Sequence, residues 1–295
     1  MLTVLVTGAT SGIGLQTAKV LAGMGHSVII HGRDPRKGAA AVAAVQAAAG
    51  EGAGAAARSG RAGAQIRFLQ ADLASLRQVE SLAAEVVASV PRLDVLINNA
   101  GCGNLSRSVT TDGYETTFAV NHLAPFLLTN LLLDKLKTSG PARIVNVASR
   151  AHRNQEMDFA DLMSERDYRV MRTYGRSKLA NILFTRTLAR RLGGSNVTAN
   201  SLHPGLIATG IGQTNPLAKL GWKLIVFARG GISVVDGART SVFLATSPAV
   251  AGLSGGYYVK CALAQLQARA EAITNDVDER LWKASEQLVG LPCSS

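Results

Sequence analysis

Tyr174 and Lys178 lie four residues apart in the stretch Met171-Arg-Thr-Tyr-Gly-Arg-Ser-Lys178. Four residues make about one helical turn, so in a helix the phenol and the ammonium group share a face. A free tyrosine loses its proton only near pH ~10. A fixed positive charge beside the phenol favours the phenolate and lowers its pKa. Such a pair can donate a proton to a carbonyl oxygen or accept one from an alcohol.

A glycine-rich turn near the start of the chain is the second feature that bears on the chemistry. Residues 2–6 are an apolar run typical of a buried strand, and residues 15–21 are apolar with helical spacing. Gly8, Gly12 and Gly14 stand between them. Glycines let the backbone approach a pyrophosphate, and the free N–H groups of a helix start favour its charge. A tight strand-to-helix connection without a ligand would use the same glycines.

Three later apolar runs also end in polar or glycine-containing clusters. Asn98-Asn99-Ala100-Gly101 closes one run, Ser149 closes the next, and His203-Pro204-Gly205 follows the third. In open parallel sheets, ligands bind at the carboxyl ends of the strands. Each cluster therefore falls where a ligand site is expected.

Taken in chain order, these motifs form one specific combination. They are Thr7-Gly8-x-x-x-Gly12-Ile13-Gly14, Asn98-Asn99-Ala100-Gly101, Asn121, Ser149, Tyr174-x-x-x-Lys178 and Pro204-Gly205. The chain resembles the short-chain dehydrogenase/reductase family from Thr3 to about Leu291. Its closest likeness is to the retinol dehydrogenase-like and protochlorophyllide reductase-like branch, suggested by residues 111–122, 174–191 and 281–286 and by the long gap from Ser149 to Tyr174.

Strand-like runs alternate with helical patterns along the chain, which implies parallel strands joined by right-handed crossovers. We expect an α/β fold, a Rossmann-type doubly wound parallel sheet of about seven strands with helices on both faces. The 295 residues, 47% of them hydrophobic, fit a single domain that spans 1–295.

Two segments of that domain need separate expectations. Residues 38–49 are rich in alanine and should be helical, whereas residues 50–64, rich in glycine and alanine, should form a flexible loop. Residues 206–232 should cover the substrate. Within them, the apolar stretch 215–229 is predicted to be either a lid, in peripheral contact with a membrane surface, or a helix packed on the core.

The resemblance implies four catalytic residues. Tyr174 is the expected general acid in reduction and general base in oxidation. Lys178 is expected to lower the tyrosine pKa and to bind the nicotinamide ribose, and Ser149 to hold the substrate oxygen. The backbone carbonyl of Asn121 is expected to hold a water that links the lysine to solvent. Pro125, four residues after Asn121, supports this from the sequence alone, because proline has no N–H to bond that carbonyl.

The same resemblance implies a set of residues that bind a nicotinamide dinucleotide. We expect Asn99 to Gly101 near the adenosine ribose, Asp72 and Leu73 at the adenine, and Pro204 to Thr209 at the nicotinamide. The whole set is Gly8, Ser11, Gly12, Ile13, Gly14, Arg33, Asp72, Leu73, Asn99, Ala100, Gly101, Tyr174, Lys178, Pro204, Gly205, Ile207 and Thr209. Asp72 would serve equally as the cap of the following helix.

The end of the second strand favours NADP(H) over NAD(H). An acidic residue there repels a 2′-phosphate, while an arginine binds it. Arg33 and Asp34 are adjacent, but Asp34 precedes Pro35 and is explained as a helix cap. In the family the NAD-selective acid usually stands just before such an arginine, where this chain has Gly32.

Composition excludes several other classes. The formal charge is +11, but the basic residues are scattered and no nucleic-acid module is visible, so we expect no nucleic-acid partner. The three cysteines have no metal spacing, which predicts no metal site and favours the cytoplasm or another reducing compartment. No apolar run approaches the ~20 residues of a membrane span, and a removed organellar targeting segment is compatible with the sequence.

The resulting functional hypothesis is an NADP(H)-dependent oxidoreductase acting on a bulky hydrophobic, retinal-like aldehyde, ketone or alcohol. Two alternatives stay open: a light-dependent reductase of the protochlorophyllide type, and an NADP(H)-binding scaffold or sensor without turnover. The family commonly dimerises through helices near Asn121 and Tyr174, so a homodimer is expected.

Overall fold

The computed structural model describes residues 1–56, 64–205, 231–268 and 270–292. Its centre is an eight-stranded sheet in the order β3-β2-β1-β4-β5-β6-β7-β8. The first seven strands are parallel to their neighbours, which confirms the predicted Rossmann-type sheet. The strands are β1 Thr3–Val6, β2 Ser27–Gly32, β3 Ile66–Gln70, β4 Val95–Asn98, β5 Ala142–Val147, β6 Val197–His203, β7 Tyr257–Val259 and β8 Ala262–Leu263.

The eighth strand exceeds the predicted count of seven. It has only two residues and pairs antiparallel with β7, as the return of a tight turn through Lys260 and Cys261. Both turn residues have positive φ. Such a short exposed strand has no apolar periodicity, so no sequence pattern predicts it.

Helices cover both faces of the sheet, as predicted. They are α1 Gly12–Gly23, α2 Pro35–Ala56, α3 Leu76–Ser89, α4 Thr116–Phe118, α5 Ala124–Thr138, α6 Val170–Arg191, α7 Val234–Thr246 and α8 Asn275–Val289. Successive side chains of one strand point to opposite faces of the sheet. In β1, Leu5 packs in the core with α3, α5 and α6, while Val4 and Val6 pack in the core with α1, α2 and α7.

The loop predicted for residues 50–64 differs from the structure in its first part. Helix α2 continues through Gly50 and ends at Ala56, so the prediction is wrong for residues 50–56. Alanine is the strongest helix former, and its density in this stretch outweighs the cost of the interspersed glycines. Residues 57–63 lie outside the described residues. So do residues 206–230, and with them Ile207, Thr209 and the apolar stretch 215–229.

One helical stretch of the described residues, Thr116–Thr138, is long and apolar enough to cross a membrane by length and composition. The sequence predicted no such span. However, 72% of the most apolar window is buried inside the protein, as in a core helix, which passes the same test. The stretch contributes Phe118, Phe126 and Leu132 to the core around α6.

Helix α8 closes the fold by packing along α6. The buried carboxylate of Asp278 accepts hydrogen bonds from Arg186 at 2.8 Å and Arg190 at 2.9 Å. Trp282 lies with its ring centroid 4.9 Å from that of Phe126. These contacts fill the groove between α5 and α6, so α6 is covered by its own chain along most of its length.

Candidate active site

A cleft of about 710 Å³ lies at the carboxyl ends of the strands. Every predicted cofactor residue within the described parts of the chain lines it, and so do Ser149, Tyr174 and Lys178. Asn121 is the exception, because it is completely buried behind the cleft. The parallel sheet brings the clusters together, since every strand of this region ends at the same edge.

The glycine-rich turn is held against the end of β4. The Thr7 hydroxyl accepts hydrogen bonds from the backbone N–H groups of Asn99 at 2.9 Å and Ala100 at 3.0 Å. The Asn99 side chain donates to the Thr7 carbonyl at 2.8 Å. Gly8 has φ +63°, and a Cβ there would lie 2.9 Å from Ala100 Cα, so both conformation and space require glycine. These bonds fix the predicted Asn99–Gly101 segment at the cleft wall.

The start of α1 is suited to bind a phosphate. Ser11 occupies the N-cap position with an extended backbone, but its side chain makes no capping hydrogen bond, and the first turn has no acidic residue. The N–H groups of the first turn are thus left uncapped by side chains. Together with the helix dipole they provide a favourable position for an anion at the cleft.

The end of β2 brings Arg33 to the cleft and uses Asp34 as a cap. Arg33 is exposed and lines the cleft. The Asp34 carboxylate accepts from the N–H groups of Arg36 at 2.9 Å and Lys37 at 3.2 Å, which confirms its predicted capping role. At Gly32 a Cβ would lie 2.5 Å from Cγ2 of Thr10, so a side chain at the position of the family's NAD-selective acid would require the Thr10 side chain to shift.

At the end of β3, Asp72 bonds within the turn that precedes α3, while Ser75 holds the N-cap position of that helix. One of the Asp72 carboxylate oxygens accepts from the Ala74 N–H at 3.0 Å. Asp72 and Leu73 nevertheless both line the cleft. Asp72 therefore shapes the turn locally, and its second oxygen makes no bond within the turn.

Helix α6 carries the predicted Tyr/Lys pair, as its spacing requires. Lys178 is 3% exposed, and its ammonium group donates to the Val147 carbonyl at 3.0 Å. It lies 5.8 Å from the centroid of the Tyr174 ring. Ser149, which follows β5, caps a short 3-10 turn by accepting from the Ala151 N–H at 3.2 Å. Ser149 therefore caps this turn from a place beside the tyrosine.

Burial shifts the pKa values of both residues of the pair. It raises the pKa of Tyr174, and hydrogen bonding by the Ser149 hydroxyl only partly counters this. Burial also lowers the pKa of Lys178 to about 8. In both cases burial disfavours the charged form of the side chain. That Lys178 lowers the tyrosine pKa stays a prediction.

Pro125 interrupts the helix beside Asn121 as predicted, in the form of a π-helical turn over Ala119–Leu123. Such wide turns are frequent at functional sites. The Asn121 side chain donates to the Cys102 carbonyl and to the Ser177 hydroxyl, both at 2.9 Å, and accepts from the Cys102 N–H at 2.8 Å. It therefore joins the segment after β4 to helix α6.

Three residues of the site have no role assigned to them by the sequence patterns above. Ser177 links Asn121 to the Tyr174 carbonyl, to which it donates at 2.7 Å. His31 lines the cleft and bonds the glycine-rich turn. Burial raises the pKa of Cys102 to about 12, so this thiol at the cleft wall stays protonated. By contrast, His122 is a packed core residue, with its ring between Phe118 and Phe126.

Comparison with known proteins agrees with this geometry. The sequence model of the short chain dehydrogenase family matches residues 2–219. Retinol dehydrogenase 14 of Mus musculus is 44% identical over 98% of this chain and 86% of its own length. Retinol dehydrogenase 13 of Homo sapiens is 40% identical over 99% of this chain and 86% of its own length.

A solved structure supports the same assignment. The crystal structure of an uncharacterised protein from Mycobacterium paratuberculosis superposes with a TM-score of 0.75 at 31% identity, covering 100% of this chain and 96% of that one. Fold, motif order and nearly full-length similarity thus agree. The chain belongs to the short-chain dehydrogenase/reductase family of oxidoreductases, in its retinol dehydrogenase-like branch.

Proposed function

We propose that the protein transfers a hydride between NADP(H) and a carbonyl or alcohol carbon, with Tyr174 as the proton donor or acceptor. The observation that supports this most directly is the grouping of Tyr174, Ser149 and Lys178 at the wall of one cleft with the uncapped start of α1. When bound, the nicotinamide supplies the hydride, and the protein supplies position and protons.

The proposed chemistry assigns each side chain a separate task. Ser149 holds the substrate oxygen beside the Tyr174 hydroxyl and stabilises the alkoxide that develops on it. Tyr174 then donates its proton to that oxygen in reduction, or removes it in oxidation. Because burial keeps the phenol protonated at neutral pH, Tyr174 is prepared for carbonyl reduction without a prior proton transfer.

We further propose that Tyr174 recovers its proton from solvent by way of Lys178 and a water held by the Asn121 carbonyl, while Lys178 would also bind the nicotinamide ribose of the cofactor. The π-helical turn and Pro125 support this, since proline removes the helical donor that this carbonyl would otherwise meet. The Asn121 side chain is fully used in joining Cys102 to Ser177, which leaves the backbone as the group for this task.

NADP(H) is the proposed cofactor because of the residues at the end of β2. Arg33 places a guanidinium group at the cleft, and position 32 holds glycine, where a Cβ would lie 2.5 Å from the Thr10 methyl group. Arginine binds a phosphate with paired donors, which favours the 2′-phosphate over a free ribose hydroxyl. Pro204 and Gly205 are proposed to hold the nicotinamide together with Ile207 and Thr209.

The proposed substrate is a bulky hydrophobic, retinal-like aldehyde, ketone or alcohol, covered by residues 206–232. This rests on the similarity to proteins named retinol dehydrogenases and on the apolar composition of 215–229. The basic residues that flank the apolar stretch suit a peripheral contact with an anionic membrane. A reducing compartment is proposed from the free thiols of Cys102 and Cys261.

The experiment is a survey of hydrophobic aldehydes and ketones, following NADPH oxidation by the absorbance of the reduced nicotinamide. Turnover of an apolar carbonyl that is lost in Tyr174→Phe supports the proposal. Arg33→Leu should raise the KM for NADPH about tenfold or more and leave the KM for NADH unchanged, since it removes a charged hydrogen bond. Arg36→Leu is the matched control, because Arg36 is an exposed residue of α2. Equal use of NADH and NADPH by the wild type would refute the cofactor assignment.

A further inference from the structure

His31 connects the three strand ends that form the adenosine side of the cleft. It stands near the end of β2 and is 2% exposed. Its Nδ1 accepts a hydrogen bond from the Gly8 N–H at 3.2 Å, and its Nε2 lies 3.1 Å from the Ala71 carbonyl just after β3. The backbone carbonyl of His31 also accepts from the Ala9 N–H at 2.9 Å.

These contacts determine the state of the ring. A backbone N–H can only donate and a carbonyl can only accept, so Nδ1 must be bare and Nε2 must carry the proton. Burial lowers the pKa of His31 to about 4, which keeps this neutral form present at physiological pH. The imidazole is therefore a fixed acceptor directed at the glycine-rich turn.

The turn is then held from both sides. Thr7 and Asn99 bind it to the end of β4, and His31 binds it to the ends of β2 and β3. Gly8 has positive φ and no side chain of its own to restrict it. A turn of this kind loses conformational freedom when it binds a ligand, unless other groups have already fixed it. Among the described residues, the hydrogen bonds that reach the turn from β2 are those of His31.

We propose that His31 is a positioning residue that holds the glycine-rich turn in its phosphate-binding conformation before the dinucleotide binds. The inference rests on the proposed cofactor site. It assigns His31 no contact with the reacting atoms. Its loss should therefore weaken cofactor binding and leave the rate at saturating cofactor nearly unchanged.

Substitutions separate the two ring nitrogens. The Asn side-chain oxygen can occupy the position of Nδ1, so His31→Asn keeps the hydrogen bond from the Gly8 N–H and loses the one to the Ala71 carbonyl. His31→Gln keeps a donor for the Ala71 carbonyl and loses the bond from Gly8. His31→Leu loses both hydrogen bonds. His26→Leu is the matched control, because His26 Nδ1 accepts from the Leu2 N–H at 3.3 Å at the opposite end of the same strand.

The dissociation constants of NADPH and NADH are measured by nicotinamide fluorescence for all five proteins, together with kcat at saturating cofactor. In His31→Leu and His31→Gln we expect the dissociation constant of NADPH to rise about tenfold, because each variant loses the buried hydrogen bond from Gly8. The rise should stay below about threefold in His31→Asn. The constant should not change in His26→Leu. In every variant kcat should stay within about twofold of the wild type.

Other results overturn the inference in distinguishable ways. Unchanged constants in His31→Leu and His31→Gln, or an equal rise in His26→Leu, would show that His31 does not position the turn. Absence of dinucleotide binding by the wild type would instead refute the proposed function. Nitrogen NMR of the wild-type protein without cofactor gives a measurement that needs no variant, and a protonated Nδ1 at neutral pH would contradict the assigned tautomer.

Discussion

The side chain of Asn121 donates a hydrogen bond of 2.9 Å to the hydroxyl of Ser177, which lies between Tyr174 and Lys178 on α6. Ser177 in turn donates to the Tyr174 carbonyl at 2.7 Å. The π-helical turn and helix α6 are therefore joined by one buried hydroxyl. Displacement of either element would be transmitted to the other.

Removal of that hydroxyl in Ser177→Ala should lower both stability and turnover. The buried Asn121 amide would lose an acceptor, which costs ~1–3 kcal/mol of unfolding free energy. A small rotation of α6 would misplace Tyr174, so kcat should fall about tenfold with little change in the KM for NADPH. Urea unfolding and steady-state kinetics measure both effects. Ser81→Ala is the control, since Ser81 bonds only the Arg77 carbonyl on exposed α3; an equal loss there would contradict the explanation.

Pro125→Ala should restore an N–H within the helix that follows the π-helical turn. This donor would compete for the Asn121 carbonyl and displace the proposed water. We expect kcat to fall several-fold and the solvent isotope effect on kcat to rise, because proton recovery becomes slower. A crystal structure of the variant would show whether the turn has become α-helical. Unchanged kinetics together with an unchanged turn would refute the proton relay.

Alcohol oxidation should rise with pH between about 7 and 10, because it needs the phenolate and burial raises the pKa of Tyr174. Hydrogen bonding by Ser149 acts to lower that pKa. In Ser149→Ala the midpoint of the kcat profile should therefore move to higher pH, besides any loss of rate. The profile is measured in the oxidative direction with saturating substrate. A midpoint that stays in place or moves to lower pH would show that Ser149 does not act on the phenol.

The protein should lose stability as the pH falls below about 6.5. Burial lowers the pKa of all five histidines, to about 4 for His31 and His203 and about 3 for His122. Between these values and 6.5 the unfolded chain binds more protons than the folded one, so the unfolding free energy decreases with falling pH. Urea unfolding at several pH values between 7 and 4 should show this slope.

The variant His122→Phe tests the contribution of one such histidine. Its ring would remain among Phe118, Phe126 and Phe184. The unfolding free energy should depend less steeply on pH, by the equivalent of about one bound proton. An unchanged slope would mean that the buried His122 takes up no proton on unfolding.

The protein should be a monomer, in contrast to the homodimer expected from the family. Helix α8 fills the groove between α5 and α6, with Trp282 against Phe126 and the Asp278 carboxylate bonded to Arg186 and Arg190. A second copy would have to displace it and break a buried ion pair. Light scattering at micromolar concentration should give the mass of one chain. A stable dimer that persists when α8 is intact would contradict this.

Much of the fold and site was predictable because the relevant forces are local. The spacing of Tyr174 and Lys178 places them on one helical face, and Asp34 before Pro35 caps α2 as expected. Pro125 signalled the irregular turn, since a missing N–H acts within four residues. The sequence did not predict the extension of α2 to Ala56, because alanine favours a helix and glycine disfavours it. Which of the two preferences prevails cannot be read from either residue type alone.

The amino-acid sequence thus determined the parallel sheet, the glycine-rich turn and the placing of Tyr174 and Lys178 on one helical face, because each depends on periodicity or on neighbours within one turn. Only the tertiary structure decided the roles of His31 and His122. Their partners Gly8, Ala71 and Ser285 lie 23, 40 and 163 residues away in the chain. The burial that raises the pKa of Tyr174 likewise comes from distant segments, since the cost of removing a charge from water depends on everything packed around it.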